Sequence, residues 1–95
     1  RELKKTGDVD DRRISLLLTT AAEKSLQKGE AKDAKKLLQK ALKHDPDCPF
    51  ALLIAGDVSL TSGETEEAIS SWKKVTLLSE ELTGPALKRL EKVLF

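Results

Sequence analysis

The densest grouping of chemically capable side chains is His44, Asp45, Asp47 and Cys48, set around a proline turn. Imidazole, carboxylate and thiolate are donors that hold transition metals, and a cysteine near a histidine is the start of a nucleophile. Neither chemistry is completed here. A structural zinc site needs four ligands, usually in paired Cys or His spacings. A cysteine nucleophile needs an orienting base on a rigid element. The chain has one His and one Cys, and His44 is better read as a helix C-terminal residue favoured by the helix dipole. Asp8, Asp10 and Asp11 resemble part of a calcium loop, but the glycine and the closing bidentate Glu are not at the required spacing. Turn and cap chemistry accounts for them better. There is no Gly-rich phosphate loop, no Ser-His-Asp order and no paired-carboxylate constellation. The expectation is a chain that is not an enzyme, with no catalytic residue, cofactor or metal.

The elements that carry these residues recur at a fixed offset. Leu18 returns as Leu52, Ala22 as Gly56, Gly29 as Gly63, Ala34 as Ala68 and Leu38 as Trp72, each pair 34 positions apart. Small residues fall on small ones, a turn glycine on a turn glycine, and bulky apolar residues on bulky apolar ones.

Apolar spacings of three and four predict the helices. The first runs from about Asp11 to Lys28, with Ile14, Leu17, Leu18, Ala21, Ala22, Ser25 and Leu26 as its stripe. Gly29 ends it. The second, about Ala31 to His44, buries Ala34, Leu37, Leu38, Ala41 and Leu42, and Asp45-Pro46 stops it. The third opens at Asp47 or Cys48, tolerates Pro49 in its first turn, and turns Ala51, Leu52, Ala55, Gly56, Ser59 and Leu60 inward. The fourth, about Thr65 to Leu78, buries Ala68, Ile69, Trp72 and Val75. A fifth opens near Pro85 and reaches Leu94, with Leu87, Leu90 and Val93 or Leu94 as its stripe. Residues 1–6 read as the end of an earlier helix and 7–10 as a turn. The small residues at 22, 34, 56 and 68 let antiparallel helices approach closely.

With 39% hydrophobic and 35% charged residues, the chain is too apolar for a disordered tail and too polar for a membrane span. No direct membrane insertion is expected. A net charge of +1 supplies no global field toward nucleic acid or anionic lipid. Lys32, Lys35, Lys36, Lys40 and Lys43 ring the second helix without aromatic residues to stack bases. They read as a solvated convex face, and nucleic acid is excluded as a partner. With no Met in the sequence, the expectation is a part of a longer protein.

These residues resemble the tetratricopeptide repeat family, whose period is ~34 residues. The resemblance rests on Gly29 with Ala34, Gly63 with Ala68, Ala41 in register with Val75, and Pro46 closing the first unit. It implies an all-α, TPR-like α-solenoid in one domain: repeat one at about 11–46, repeat two at about 47–80, a capping helix at about 83–95, and a remnant of a preceding element at 1–10. Glu80 stands in the second unit where Pro46 stands in the first, and Leu90 where the family has a small residue. A narrower resemblance is carried by Gly63 to Ile69, Trp72 to Val75, Leu82 with Leu87 to Leu90, and Ala41 to Cys48 followed by Ala51 to Asp57. It is to the middle repeats of the lipopolysaccharide assembly protein B family. That resemblance implies a bacterial, cytoplasmic scaffold, tethered to the inner membrane in the parent protein, that controls proteolysis of a lipid A biosynthetic enzyme.

Solenoid repeats present concave binding surfaces. The resemblance implies a non-catalytic scaffold whose protein or peptide partner meets Thr19, Glu23, Leu26 and Gln27 of the first unit and Leu53, Asp57, Leu60 and Thr61 of the second. Glu23 and Asp57 are equivalent, so a ligand of basic character is one expectation; idle, solvated carboxylates are the other. The carboxylate clamp of chaperone-binding repeats is not expected, because Thr19, Glu23, Leu53 and Asp57 stand where its Lys and Asn would be. The alternative partner is a second copy of the chain, joined through Leu3, Leu87, Leu90, Leu94 and Phe95.

Overall fold

A computed structural model describes residues 9–95. Five helices follow in order: α1 Val9–Gln27, α2 Ala31–His44, α3 Pro49–Thr61, α4 Thr65–Leu78 and α5 Thr83–Leu94. The described residues contain no strand. The remnant expected over 1–6, Leu3, and the first half of the 7–10 turn lie outside the described residues. Val9 and Asp10 are already helical, so α1 includes two residues before the expected Asp11.

The 34-residue offset is repeated in backbone detail. Gly29 and Gly63 both have φ of 83°, the left-handed conformation that closes a helix and that glycine adopts without a Cβ penalty. Across the first turn the Glu30 amide donates to the Ser25 carbonyl at 2.9 Å; across the second the Glu64 amide donates to the Ser59 carbonyl at 2.8 Å. The helix exits also correspond. Asp45 N–H donates to Ala41 O at 3.0 Å, and Ser79 N–H to Val75 O at 2.9 Å. Both exit residues have φ of −147°. The second exit does without the proline of the first: Ser79 Oγ accepts from the Leu82 amide at 3.2 Å, and Thr83 Oγ1 donates to Ser79 O at 2.7 Å. These side-chain bonds hold the turn that Pro46 holds one repeat earlier.

Helices α1 and α2 form one antiparallel hairpin and α3 and α4 the next. In addition α2 packs on α3, α4 on α5 and α1 on α3, while α1 has no extensive contact with α4 or α5. The result is a stack of hairpins and not a closed bundle. Ala22, Ala34, Ala41, Ala51 and Ala68 are fully buried where the helices cross. Leu38 and Trp72 then fill equivalent places in the two hairpins. Above Trp72 only a glycine fits: a Cβ on Gly56 would stand 2.3 Å from the indole Nε1.

Three expected faces are corrected. In α1 the buried line is Ser15, Thr19 and Ala22 with Leu26 partly covered, whereas Ile14, Leu17 and Ala21 lie outside, Leu17 at 72% exposure. The apolar arc of α1 is wider than the face its neighbours cover, and the helix is rotated so that its small polar residues meet α2 and α3. In α3 burial goes nearly all round: Leu53, Ile54 and Val58 join the expected Ala51, Leu52 and Gly56, while Leu60, expected inward, is exposed. This helix lies between α1 and α2 on one side and α4 on another, so it has little solvent face. In α5 the buried residues are Ala86 and Leu90 with Val93 partly covered; Leu87 and Leu94 face outward.

Candidate functional site

The eight expected groove residues separate into three groups. Thr19 and Leu53 do not line a groove: they are 0% and 5% exposed. Leu53 joins the cluster containing Ala86 and Leu90 of α5. Thr19 is its 34-residue equivalent on α1, and α1 packs on α3. This position is how one first helix meets the next, so it is consumed by stacking. The Thr19 hydroxyl is satisfied within its own helix, donating to Ser15 O at 2.8 Å. The Leu53 carbonyl accepts the Trp72 indole N–H at 3.1 Å.

Gln27, Leu60 and Thr61 are exposed, and Leu26 is half-buried against the first core cluster. Thr61 Oγ1 donates back to Asp57 O at 3.0 Å. These residues remain available on the side formed by the first helices.

The equivalent acids Glu23 and Asp57 have different surroundings. Arg89 of α5 grips Asp57 with two parallel bonds, Nε to Oδ1 at 2.7 Å and Nη2 to Oδ2 at 3.0 Å. Arg89 Nη1 also donates to Pro85 O at 3.2 Å, which fixes the guanidinium. Bidentate pairing of this kind adds geometric definition to charge attraction. One repeat earlier the place of Arg89 is taken by Ala55 (89 − 34), so Glu23 has no equivalent partner on α3. The expected pair of stacked free acids is therefore not present: the second carboxylate is neutralised inside the chain.

Around this ion pair lies a cavity of about 390 Å³ between α3, α4 and α5. Leu60, Trp72 and Val93 supply its apolar wall; Lys88, Arg89 and Lys92 supply three positive charges against Asp57. The basic side is absent from the sequence-based expectation. One signal for it is present in the sequence: Asp57 and Arg89 are 32 apart, two short of a full repeat, which places them on successive first helices.

The remaining charged clusters do not converge. Lys32, Lys35, Lys36, Lys40 and Lys43 are all exposed on α2. A depression of about 650 Å³ over that helix is lined, among the described residues, by α2 alone. His44 Nδ1 lies 3.0 Å from Asp11 Oδ1, joining the end of α2 to the start of α1. Cys48 is a buried free thiol at the N-cap of α3, and Asp47 is exposed. Among the described residues no three His, Cys, Asp or Glu side chains are grouped to hold a metal, and no helix is long and apolar enough to cross a membrane. No protein-family model and no curated protein matches the chain.

Proposed function

We propose that the chain is a non-catalytic protein-interaction scaffold of tetratricopeptide type, binding its partner on the side formed by α1, α3 and α5. The observation that supports this reading is the repetition, at a 34-residue offset, of the glycine turns, helix exits and small-residue crossings. Repeats of this kind bury each hairpin against its neighbour and leave an extended surface for binding. A photo-crosslinking residue at Leu60 or Gln27 is expected to capture a partner protein, and the same residue at Lys36 on the outer face of α2 is not. Equal capture at all three positions would count against the groove.

The narrower proposal is a bacterial, cytoplasmic scaffold, tethered to the inner membrane through another part of its protein, that controls proteolysis of a lipid A biosynthetic enzyme. The runs Gly63 to Ile69 and Trp72 to Val75 support it. Its test is whether expressing this unit in a bacterium changes the turnover of that enzyme. Exposed Leu87, Leu94 and Phe95, together with Leu77, favour self-association as a second reading; of the other expected contact residues, Leu90 is instead buried in the second core cluster and Leu3 lies outside the described residues. Light scattering over a concentration series decides it, because a persistent monomer removes that reading.

A further inference from the structure

We infer that the crease between α3 and α5 docks an acidic segment of a partner protein, with one apolar side chain in the cavity and flanking carboxylates on Lys88 and Lys92. The inference rests on the scaffold reading above and adds the chemistry of the partner. It starts from a comparison of the two creases that the repeat creates. Where α3 packs on the first hairpin, its residues Ile54 and Val58 are 2% and 3% exposed and belong to the core cluster shared with Ala22 of α1 and Ala34, Leu38 and Ala41 of α2. Their 34-residue equivalents on α5 are Lys88 (88 − 54) and Lys92 (92 − 58). Both lysines are exposed and both line the 390 Å³ cavity. The packing of α1 on α3 has no counterpart of similar extent between α3 and α5, which meet through the core cluster of Leu53 with Ala86 and Leu90 and through the Asp57–Arg89 pair. One crease is sealed by apolar side chains; the other stays open and carries cations at the same two positions.

The charge balance chooses the occupant. Asp57 is occupied by Arg89 through both carboxylate oxygens, and among the described residues neither Lys88 nor Lys92 makes a salt bridge, so both bring positive charge to the rim. Leu60, Val93 and the Trp72 edge leave apolar surface on the cavity wall. A ligand completing this site needs negative charge outside and an apolar group inside, which an acidic peptide supplies. A nucleic acid fits less well. Its bases need exposed aromatic platforms, and Trp72 is 1% exposed with its N–H already donated to Leu53.

Trp72 is the single tryptophan of the chain, so its indole resonance reports on the cavity directly. The isotope-labelled chain is titrated with a short synthetic peptide of alternating Glu and Leu, with its Lys-for-Glu counterpart, and with a single-stranded oligonucleotide. The acidic peptide is expected to shift the Trp72 indole signal and the Lys88 and Lys92 amides; the basic peptide is expected to shift none of them. Lys88→Glu with Lys92→Glu should weaken binding about tenfold or more, since reversal creates like-charge contacts. Circular dichroism and the free indole resonance verify its fold, and Lys88→Gln with Lys92→Gln serves if it does not fold. An unmoved indole signal, undiminished affinity in the folded variant, or tighter binding of the oligonucleotide would each overturn the inference. A partner crosslinked at Leu60 that ignores both lysine variants would overturn this crease while leaving the scaffold intact. Failure to crosslink at any concave position would instead remove the scaffold reading itself.

Discussion

The contact between Gly56 and Trp72 gives the sharpest stability test, because the first repeat contains its own control. A Cβ on Gly56 would lie 2.3 Å from Nε1 of Trp72 and 2.7 Å from Cδ1 and Cε2. The indole is 1% exposed and has no room to retreat. Gly56→Ala must therefore displace it and stretch its 3.1 Å bond to Leu53 O. Overpacking costs about 1–3 kcal/mol, and an orphaned buried donor about 1–3 kcal/mol more. Alanine returns about 1 kcal/mol through its helix propensity. The net expectation is a loss of roughly 3 kcal/mol, taking the middle of those ranges. The equivalent pair in the first repeat is Ala22 with Leu38, which already accommodates the methyl group. Combining Gly56→Ala with Trp72→Leu recreates that pair. In the Trp72→Leu background the alanine should be neutral or stabilising by up to about 1 kcal/mol. Urea unfolding followed by far-UV circular dichroism gives all four corners of the cycle, with an expected coupling of about 3–4 kcal/mol, larger than the usual range for neighbouring residues. If Gly56→Ala cost the same in both backgrounds, the helix register would be wrong.

Further expectations concern the turns, the crossings and the crease. Gly29→Ala and Gly63→Ala should each destabilise by about 1–2 kcal/mol, because both sit at φ of 83° with open space around them; clearly unequal losses would count against equivalent turns. Ala34→Leu and Ala68→Leu should cost about 1–3 kcal/mol each by overpacking, and unchanged urea midpoints would show that these alanines do not sit at the crossings. Ser15 Oγ is buried and has no hydrogen-bond partner among the described residues, so Ser15→Ala should stabilise by about 1 kcal/mol, and a loss instead would mean that the hydroxyl is satisfied. Asp57→Asn should lower stability by about 1 kcal/mol at low salt and less at high salt, the pair being partly exposed; an effect independent of salt would contradict a charge-assisted contact.

The parts of the fold legible in the sequence are those with a one-sided environment. Helices α2 and α4 each pack one narrow face, so their apolar spacing is clean and their bounds, Ala31–His44 and Thr65–Leu78, match the expected ones. The two helices with unusual surroundings are harder to read. Helix α1 carries more apolar residues than its described neighbours cover, so periodicity puts Leu17 inside and passes over Ser15. Helix α3 is covered on several sides, which erases the periodicity that separates inside from outside; Leu53 falls into the expected groove for that reason. The site is half legible. The offset locates Asp57 and Leu60 on the open side, but α5 departs from the repeat at the positions that matter. Lys88 and Lys92 replace Ile54 and Val58, and Arg89 replaces Ala55, so extending the pattern of the first two repeats into α5 does not reveal a basic rim.

Two equivalent hairpins stacked in an open array underlie every proposal made for this chain, and nuclear Overhauser contacts test that arrangement most directly. Cross-peaks are expected from Gly56 α-protons to the Trp72 indole and from Ala22 to Leu38, with none linking α1 to α4 or α5. Cross-peaks from α1 to α5 would reveal a closed bundle and contradict it.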